Sequence, residues 1–138
     1  MTVHPSLFQT EMLVRISMGH LTDKSGALLT DHCARVVAMI DAGLPDEYRH
    51  VAWMHDLVED TNFTFAHLYD LGYSSDVMEA LKLLTHDTDT LSYAEYIEAI
   101  ATSGNHMAIY VKYLDNKDNS AEWRLVCLPE DTRRWLTA

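Results

Sequence analysis

His55-Asp56-Leu57-Val58-Glu59-Asp60-Thr61 follows an apolar run, Val51-Ala52-Trp53-Met54, that reads as the buried end of a helix. Two good metal ligands, His55 and Asp56, are followed at once by two further carboxylates, Glu59 and Asp60. Ionisable groups gathered where a segment leaves the core are destabilising unless something balances them. For a histidine with clustered carboxylates, the natural partner is a divalent cation. Taken alone, the stretch also fits a polar helix end that runs into a solvated acidic loop. The remaining sequence has to separate the two readings.

On the N-terminal side, Ser6 to Met18 carries Leu7, Met12, Leu13 and Ile16 at near-helical spacing, with Ser6 or Thr10 as caps and an end near Gly19. Gly19 to Gly26 is rich in turn formers and reads as a loop. Thr30 or Asp31 is then an N-cap for a helix through Ile40, with Val36, Val37 and Ile40 inward and His32 in its first turn. Gly43 and Pro45 break the chain before a third helix, from about Asp46 to Leu57.

On the C-terminal side, a short helix is expected between Asn62 and Gly72. Ser74-Ser75-Asp76 caps the next, from Val77 to about Thr85, with Met78, Leu81 and Leu84 as core positions. His86 to Thr90 is a polar connector, and Ser92 caps a helix from Tyr93 to Ala101. A long helix follows from about Asn105 to Val126, and Pro129 opens a terminal one ending near Leu136. Strand pairs, repeats and linkers are not apparent. The expectation is an all-α chain of about seven helices forming one domain over residues 1–138.

Composition narrows the function. Ten Lys and Arg against 21 Asp and Glu leave a net charge of −11. A general nucleic-acid binder needs a basic surface, so that class is set aside. A small phosphorylated ligand stays open, because a bound cation reverses the local field. No run approaches the roughly 18 apolar residues of a membrane span, and Met1 to Pro5 lacks the basic start and apolar core of a signal peptide. A cytoplasmic location is expected. Cys33 and Cys127 form no CxxC pair and read as small buried hydrophobes. Trp53, Trp123 and Trp135 read as core residues, and His4, His20, His50, His67, His86 and His106 as surface or satisfied core residues.

The long helix holds a second cluster, Val111-Lys112-Tyr113-Leu114-Asp115-Asn116-Lys117-Asp118-Asn119-Ser120. Lys112, Asp115 and Asn119 fall at i, i+3 and i+7, which is one face. By itself that face fits a solvated row of Lys-Asp pairs. Together the clusters place His32, His55-Asp56 and Asp115 on three helices. Two neutral imidazoles and two carboxylates balance a divalent ion and leave positions for water and phosphate oxygens. Adjacent residues on a helix point about 100° apart, so His55 and Asp56 can share one ion only near a helix end.

From about His20 to Ser120 the sequence resembles the HD-domain phosphohydrolases, and among them the RelA/SpoT-type (p)ppGpp 3′-pyrophosphohydrolases. Asp23-Lys24-Ser25-Gly26 before His32 resembles the family's loop leading to its first metal histidine. His55 to Thr61 resembles its H-D-x-x-E-D-T motif. Leu84-Thr85 and Tyr93-Ala94-Glu95-Tyr96-Ile97 resemble the connecting segment, and Val111-Lys112 through Asp115, Asp118 and Asn119 the closing motif. The resemblance implies that His32, His55, Asp56 and Asp115 hold a metal, usually Mn²⁺, with Zn²⁺, Co²⁺ or Fe²⁺ as competitors. It implies that Glu59 and Asp60 activate or orient the attacking water, that Lys24 meets substrate phosphate, and that Asn119 holds substrate or supports the site. Cys33 stands where the family often has proline, and Asp23 where a basic residue often precedes the loop lysine.

The expected activity is metal-dependent hydrolysis of a phosphate ester or pyrophosphate on a small nucleotide such as (p)ppGpp, in a small hydrolase-only protein. The alternatives are an HD-type (deoxy)nucleotide phosphohydrolase and a non-catalytic nucleotide-binding module. In the chemistry itself, a metal lowers the pKa of bound water and polarises a phosphoryl oxygen. A carboxylate within hydrogen-bond reach then takes the proton.

Overall fold

Most helices start where the sequence offers a side-chain oxygen to their free amides. The Ser6 hydroxyl accepts from the Gln9 amide at 3.1 Å, and the Gln9 side chain takes the Ser6 amide at 2.8 Å. Thr64, Ser74, Ser92 and Asn105 each accept from the amide three residues on. The computed structural model describes residues 3–120. The helices among them are α1 (Leu7–Met18), α2 (Leu29–Ala38), α3 (Asp46–Met54), α4 (Leu57–Asp60), α5 (Phe65–Asp70), α6 (Ser75–Leu84), α7 (Tyr93–Thr102) and α8 (His106–Asn119). The expected continuation to Val126, the terminal helix after Pro129, Trp123, Cys127 and Trp135 lie outside the described residues.

The axis of the packing is α3, which touches α1, α2, α6 and α8. Val51, Ala52, Trp53 and Met54 are all buried, so the end of α3 is enclosed on every side. Around it, Val36 of α2, Leu81 of α6 and Val111 of α8 complete the centre of the core. Cys33, Met78 and Leu84 are buried as the sequence suggests. The described residues contain no strand, and none of their helices is long and apolar enough to cross a membrane.

Three local expectations change. In α1 the buried row is Thr10, Val14 and Met18, while Ile16 is 81% exposed. Apolar residues lie on more than one side of α1, and the Thr10 hydroxyl enters the core because His50 Nδ1 and Tyr73 Oη each bond it at 2.7 Å. The N-cap of α2 is Leu28 rather than Thr30 or Asp31, and no side chain caps it. A single antiparallel bridge, Thr22 to Leu28, delivers the chain to α2 instead. Its turn closes with the Gly26 amide on the Asp23 carbonyl at 3.0 Å, and Gly26 has a φ of 87°, which favours glycine. The third correction bears on the site: α3 stops at Met54, not near Leu57.

Candidate metal centre

Stopping α3 at Met54 leaves the last carbonyls of the helix free, and the chain uses one of them. His55 Nδ1 bonds the Ala52 carbonyl at 2.6 Å, which fixes the ring and sends Nε2 the other way. Asp56 then takes φ −102° and ψ −3° before α4 begins. At this bend two consecutive side chains turn to the same point.

From α2, His32 reaches the same place. Its Nε2 lies 2.8 Å from Asp115 Oδ1 and 4.0 Å from Asp56 Oδ2. His55 Nε2 lies 3.2 Å from Asp56 Oδ2 and 3.4 Å from Asp115 Oδ1. Donor atoms about 2.1 Å from a divalent ion stand about 3 to 3.5 Å from one another, so these separations suit a shared cation. His32, His55 and Asp115 offer ligand atoms that all lie within 4.8 Å of one another. His55 Nε2 is buried and has no hydrogen-bond partner, an arrangement that costs stability unless a cation occupies its lone pair. The donor set therefore fits a divalent metal. Cys33 also lies within ligand distance of His55 and Asp56. Burial pushes its thiol up to about 12, away from the thiolate form that binds metals.

The electrostatics agree with the geometry. Burial opposes the imidazolium of His55, but Asp56 and Asp115 outweigh it and raise its pKa well above the ordinary value. His32 is raised in the same way, with Asp115 and Asp118 overcoming burial. Burial also opposes the carboxylate of Asp115, yet His55, His32 and Lys112 hold it well below the usual range. The cluster is thus built to enclose positive charge.

A cavity of about 350 Å³ opens over the cluster. Asp23, Glu59, Tyr93, Tyr96, His86, Lys112 and Asn119 line it beside His32, His55, Asp56 and Asp115. The Asn119 amide donates to Asp115 Oδ1 at 3.1 Å, and Lys112 Nζ donates to Asp115 Oδ2 at 2.9 Å. The ammonium also sits 5.2 Å from the Tyr96 ring centroid. Glu59 accepts from the backbone amide of His86, and burial raises its carboxyl above the usual range. Asp60 lines an adjoining groove of about 920 Å³ that Glu59 shares. Lys24 is exposed in the turn before α2 and does not line the cavity; its neighbour Asp23 does, with its carboxylate accepting from the Ser25 and Ala27 amides.

Sequence reasoning passed over several lining residues. In the sequence His86 belongs to a polar connector; in the fold its ring stacks on Tyr96 at 4.6 Å and its Nε2 bonds the Leu91 carbonyl at 2.7 Å. The aromatic positions of α7 read as core pattern, which Tyr96 also satisfies, being buried. Behind the lining, Asp118 stands in the closing motif without a role of its own, and Arg35 stands in no motif. Asp118 bonds His32 Nδ1 at 2.6 Å, and Arg35 grips Asp118 through Nε at 2.9 Å. Their signal was present in the spacing, since Arg35 follows His32 by three residues and Asp118 follows Asp115 by three.

The chain superposes on a solved structure described as "A metazoan ortholog of SpoT hydrolyzes ppGpp and plays a role in starvation responses", with a TM-score of 0.78. The match covers 96% of this chain and 81% of that one. The chain has the all-α HD-domain fold. Sequence identity across the match is 19%, so the likeness is one of architecture. No family model and no curated protein sequence matches the chain. The HD-domain fold accounts for the convergence of α2, the α3–α4 bend and α8 on one point, because all three pack around the buried end of α3.

Proposed function

We propose that the chain is a metal-dependent phosphohydrolase that cleaves a phosphate ester or pyrophosphate on a small nucleotide, with a (p)ppGpp-like 3′-pyrophosphate as the substrate. The observation that carries this reading is the meeting of His32, His55, Asp56 and Asp115 around the unsatisfied His55 Nε2. Those four residues would hold the ion, with Mn²⁺ the leading candidate for a site of imidazole and carboxylate donors. A metal bound there would polarise a phosphoryl oxygen and acidify water. Glu59, facing the cavity and steadied by the His86 amide, would accept the proton of the attacking water. Lys112 would face the charge that develops on the phosphoryl group while neutralising Asp115. Asn119 would steady Asp115 or bind substrate, and Asp60 would assist from the groove side. A cytoplasmic setting suits a nucleotide substrate of this kind.

One observation favours a second reading, a (deoxy)nucleotide monophosphate as substrate. Among the described lining residues, Lys112 is the one Lys or Arg, against the carboxylates of Asp23, Asp56, Glu59 and Asp115. A substrate with diphosphates on both sides of the ribose needs further cations, and Lys24 is the candidate in the sequence for reaching a distal phosphate. The deciding experiment presents Mn²⁺-loaded protein with a nucleotide panel that includes ppGpp, NADPH and nucleoside monophosphates, for wild type and Lys24→Ala. Pyrophosphate release from ppGpp, with a KM that Lys24→Ala raises more than it raises the KM for a monophosphate, supports the alarmone reading. Equal KM changes favour the nucleotidase, and no turnover of any member refutes the hydrolase.

A further inference from the structure

We propose that Asp118, clamped by Arg35, is the positioning residue that sets which nitrogen of His32 faces the cation. This role rests on the metal reading of the site. The two helices present matched pairs: His32 and Arg35 on α2 stand three apart, as do Asp115 and Asp118 on α8. Residues at that spacing share a helix face, so packing α2 on α8 puts His32 against Asp115 and Arg35 against Asp118.

Asp118 joins the two pairs. Its Oδ2 lies 2.6 Å from His32 Nδ1 and 3.2 Å from Arg35 Nη2, while its Oδ1 takes Arg35 Nε at 2.9 Å. The Asp118 side chain is 6% exposed and that of His32 is 4% exposed, so water does not readily substitute for this contact. A neutral imidazole carries one proton. An anionic acceptor at Nδ1 holds the proton there and leaves the Nε2 lone pair for the cation, beside Asp115 and His55. The guanidinium in turn fixes the carboxylate by its planar fork, so that Asp118 cannot swing toward the ion itself. His55 meets the same requirement differently, with a neutral backbone carbonyl on its Nδ1. Of the two histidines, His32 is therefore the one whose orientation depends on a replaceable side chain.

The test uses the full chain with Asp118→Asn, Asp118→Ala and Arg35→Met, and measures Zn²⁺ affinity by competition with a chromophoric chelator. Loss of an outer partner of a metal-binding histidine weakens affinity by about 10- to 100-fold. Asp118→Ala should reach that range; Asp118→Asn should fall short of it, because an amide oxygen still accepts from Nδ1. Arg35→Met keeps the carboxylate, loosens it, and should show the smallest loss. Thermal unfolding of the metal-free proteins separates a packing role, which would lower the melting temperature and leave Zn²⁺ affinity of the folded protein unchanged. Should Asp118→Ala fail to fold, the near-isosteric Asp118→Asn and the surface-facing Arg35→Met carry the comparison. Zn²⁺ affinities of all folded variants equal to wild type would overturn the role of Asp118 and leave the metal site standing. A wild-type chain that takes up no Zn²⁺ would overturn both.

Discussion

Glu59→Gln separates proton transfer from metal holding with little change in shape. Glu59 lies where the metal cavity and the adjoining groove meet, and one of its oxygens accepts from the His86 amide. Glutamine keeps that acceptor, so stability should move by no more than about 1 kcal/mol, the net value of an ordinary hydrogen bond. None of the four candidate metal-holding residues is altered, so bound metal should stay stoichiometric. What disappears is a carboxylate that burial and the nearby Asp56 make more basic than usual, which suits a base working near neutrality. General-base loss costs about 10²- to 10⁴-fold in kcat, or about 3 to 5 kcal/mol of barrier at 1.36 kcal/mol per decade. The assay is kcat at saturating substrate, with elemental analysis of the same sample. A kcat within about threefold of wild type, with metal retained, refutes the assignment. Asp60→Asn run in parallel should cost less than Glu59→Gln, since Asp60 faces the groove. A reversed order would move the role to Asp60.

Two further outcomes are expected. His55→Ala and Asp115→Ala should abolish tight metal binding; because Asp115→Ala also strands Lys112, a folding check by circular dichroism belongs beside the elemental analysis, and stoichiometric metal in both folded variants would sink the ligand assignment. In metal-free protein, Asp60→Asn should stabilise the fold at neutral pH but not at acid pH. Burial, with Asp56 and Glu59 close by, pushes the Asp60 carboxyl up from 3.8 to about 6, so the folded state binds this proton more tightly than the unfolded state. Stability from this group is therefore full below about pH 4 and lost as pH rises through about 6. Solvent screening at a half-exposed position reduces the effect to about 1 kcal/mol, a gain of a few degrees in Tm at pH 7. The same Tm difference at pH 4 and pH 7 would show that the effect is not electrostatic.

Helix positions were legible because caps are short-range chemistry. Ser6, Ser74 and Ser92 read as caps in the sequence and accept helix amides in the fold; Asn105, read only as a helix start, accepts one as well. The start of α2 is not legible in that way, because no side chain caps it. The amides of Asp31 and His32 bond the Leu28 carbonyl, and the bridge from Thr22 to Leu28 brings the chain in. No side-chain pattern announces such an entry. The inward face of α1 failed for another reason: periodicity counts apolar residues, whereas Thr10 is buried by partners 40 and 63 residues away.

At the site, spacing carried the first layer and stopped there. His32, His55, Asp56 and Asp115 could be grouped because two imidazoles and two carboxylates on three helices balance a divalent ion, and the early stop of α3 supplies the bend by which His55 and Asp56 turn to one point. The residues behind them could not be ranked the same way. Arg35 and Asp118 look like any ion pair on exposed faces until α2 and α8 are brought together, 83 residues apart along the chain. Lys112 poses the converse problem. Three residues before Asp115 it reads as a surface pair, yet in the fold it is withdrawn between Tyr96 and Asp115. Burial opposes its charge, but Asp115 and Tyr96 raise its pKa beyond the ordinary value, so it remains a cation inside the cavity. For a chain with a net charge of −11, the local field that would admit a phosphate then depends on a few groups. They are the cation that the His and Asp cluster would hold and one lysine that the sequence makes look ordinary.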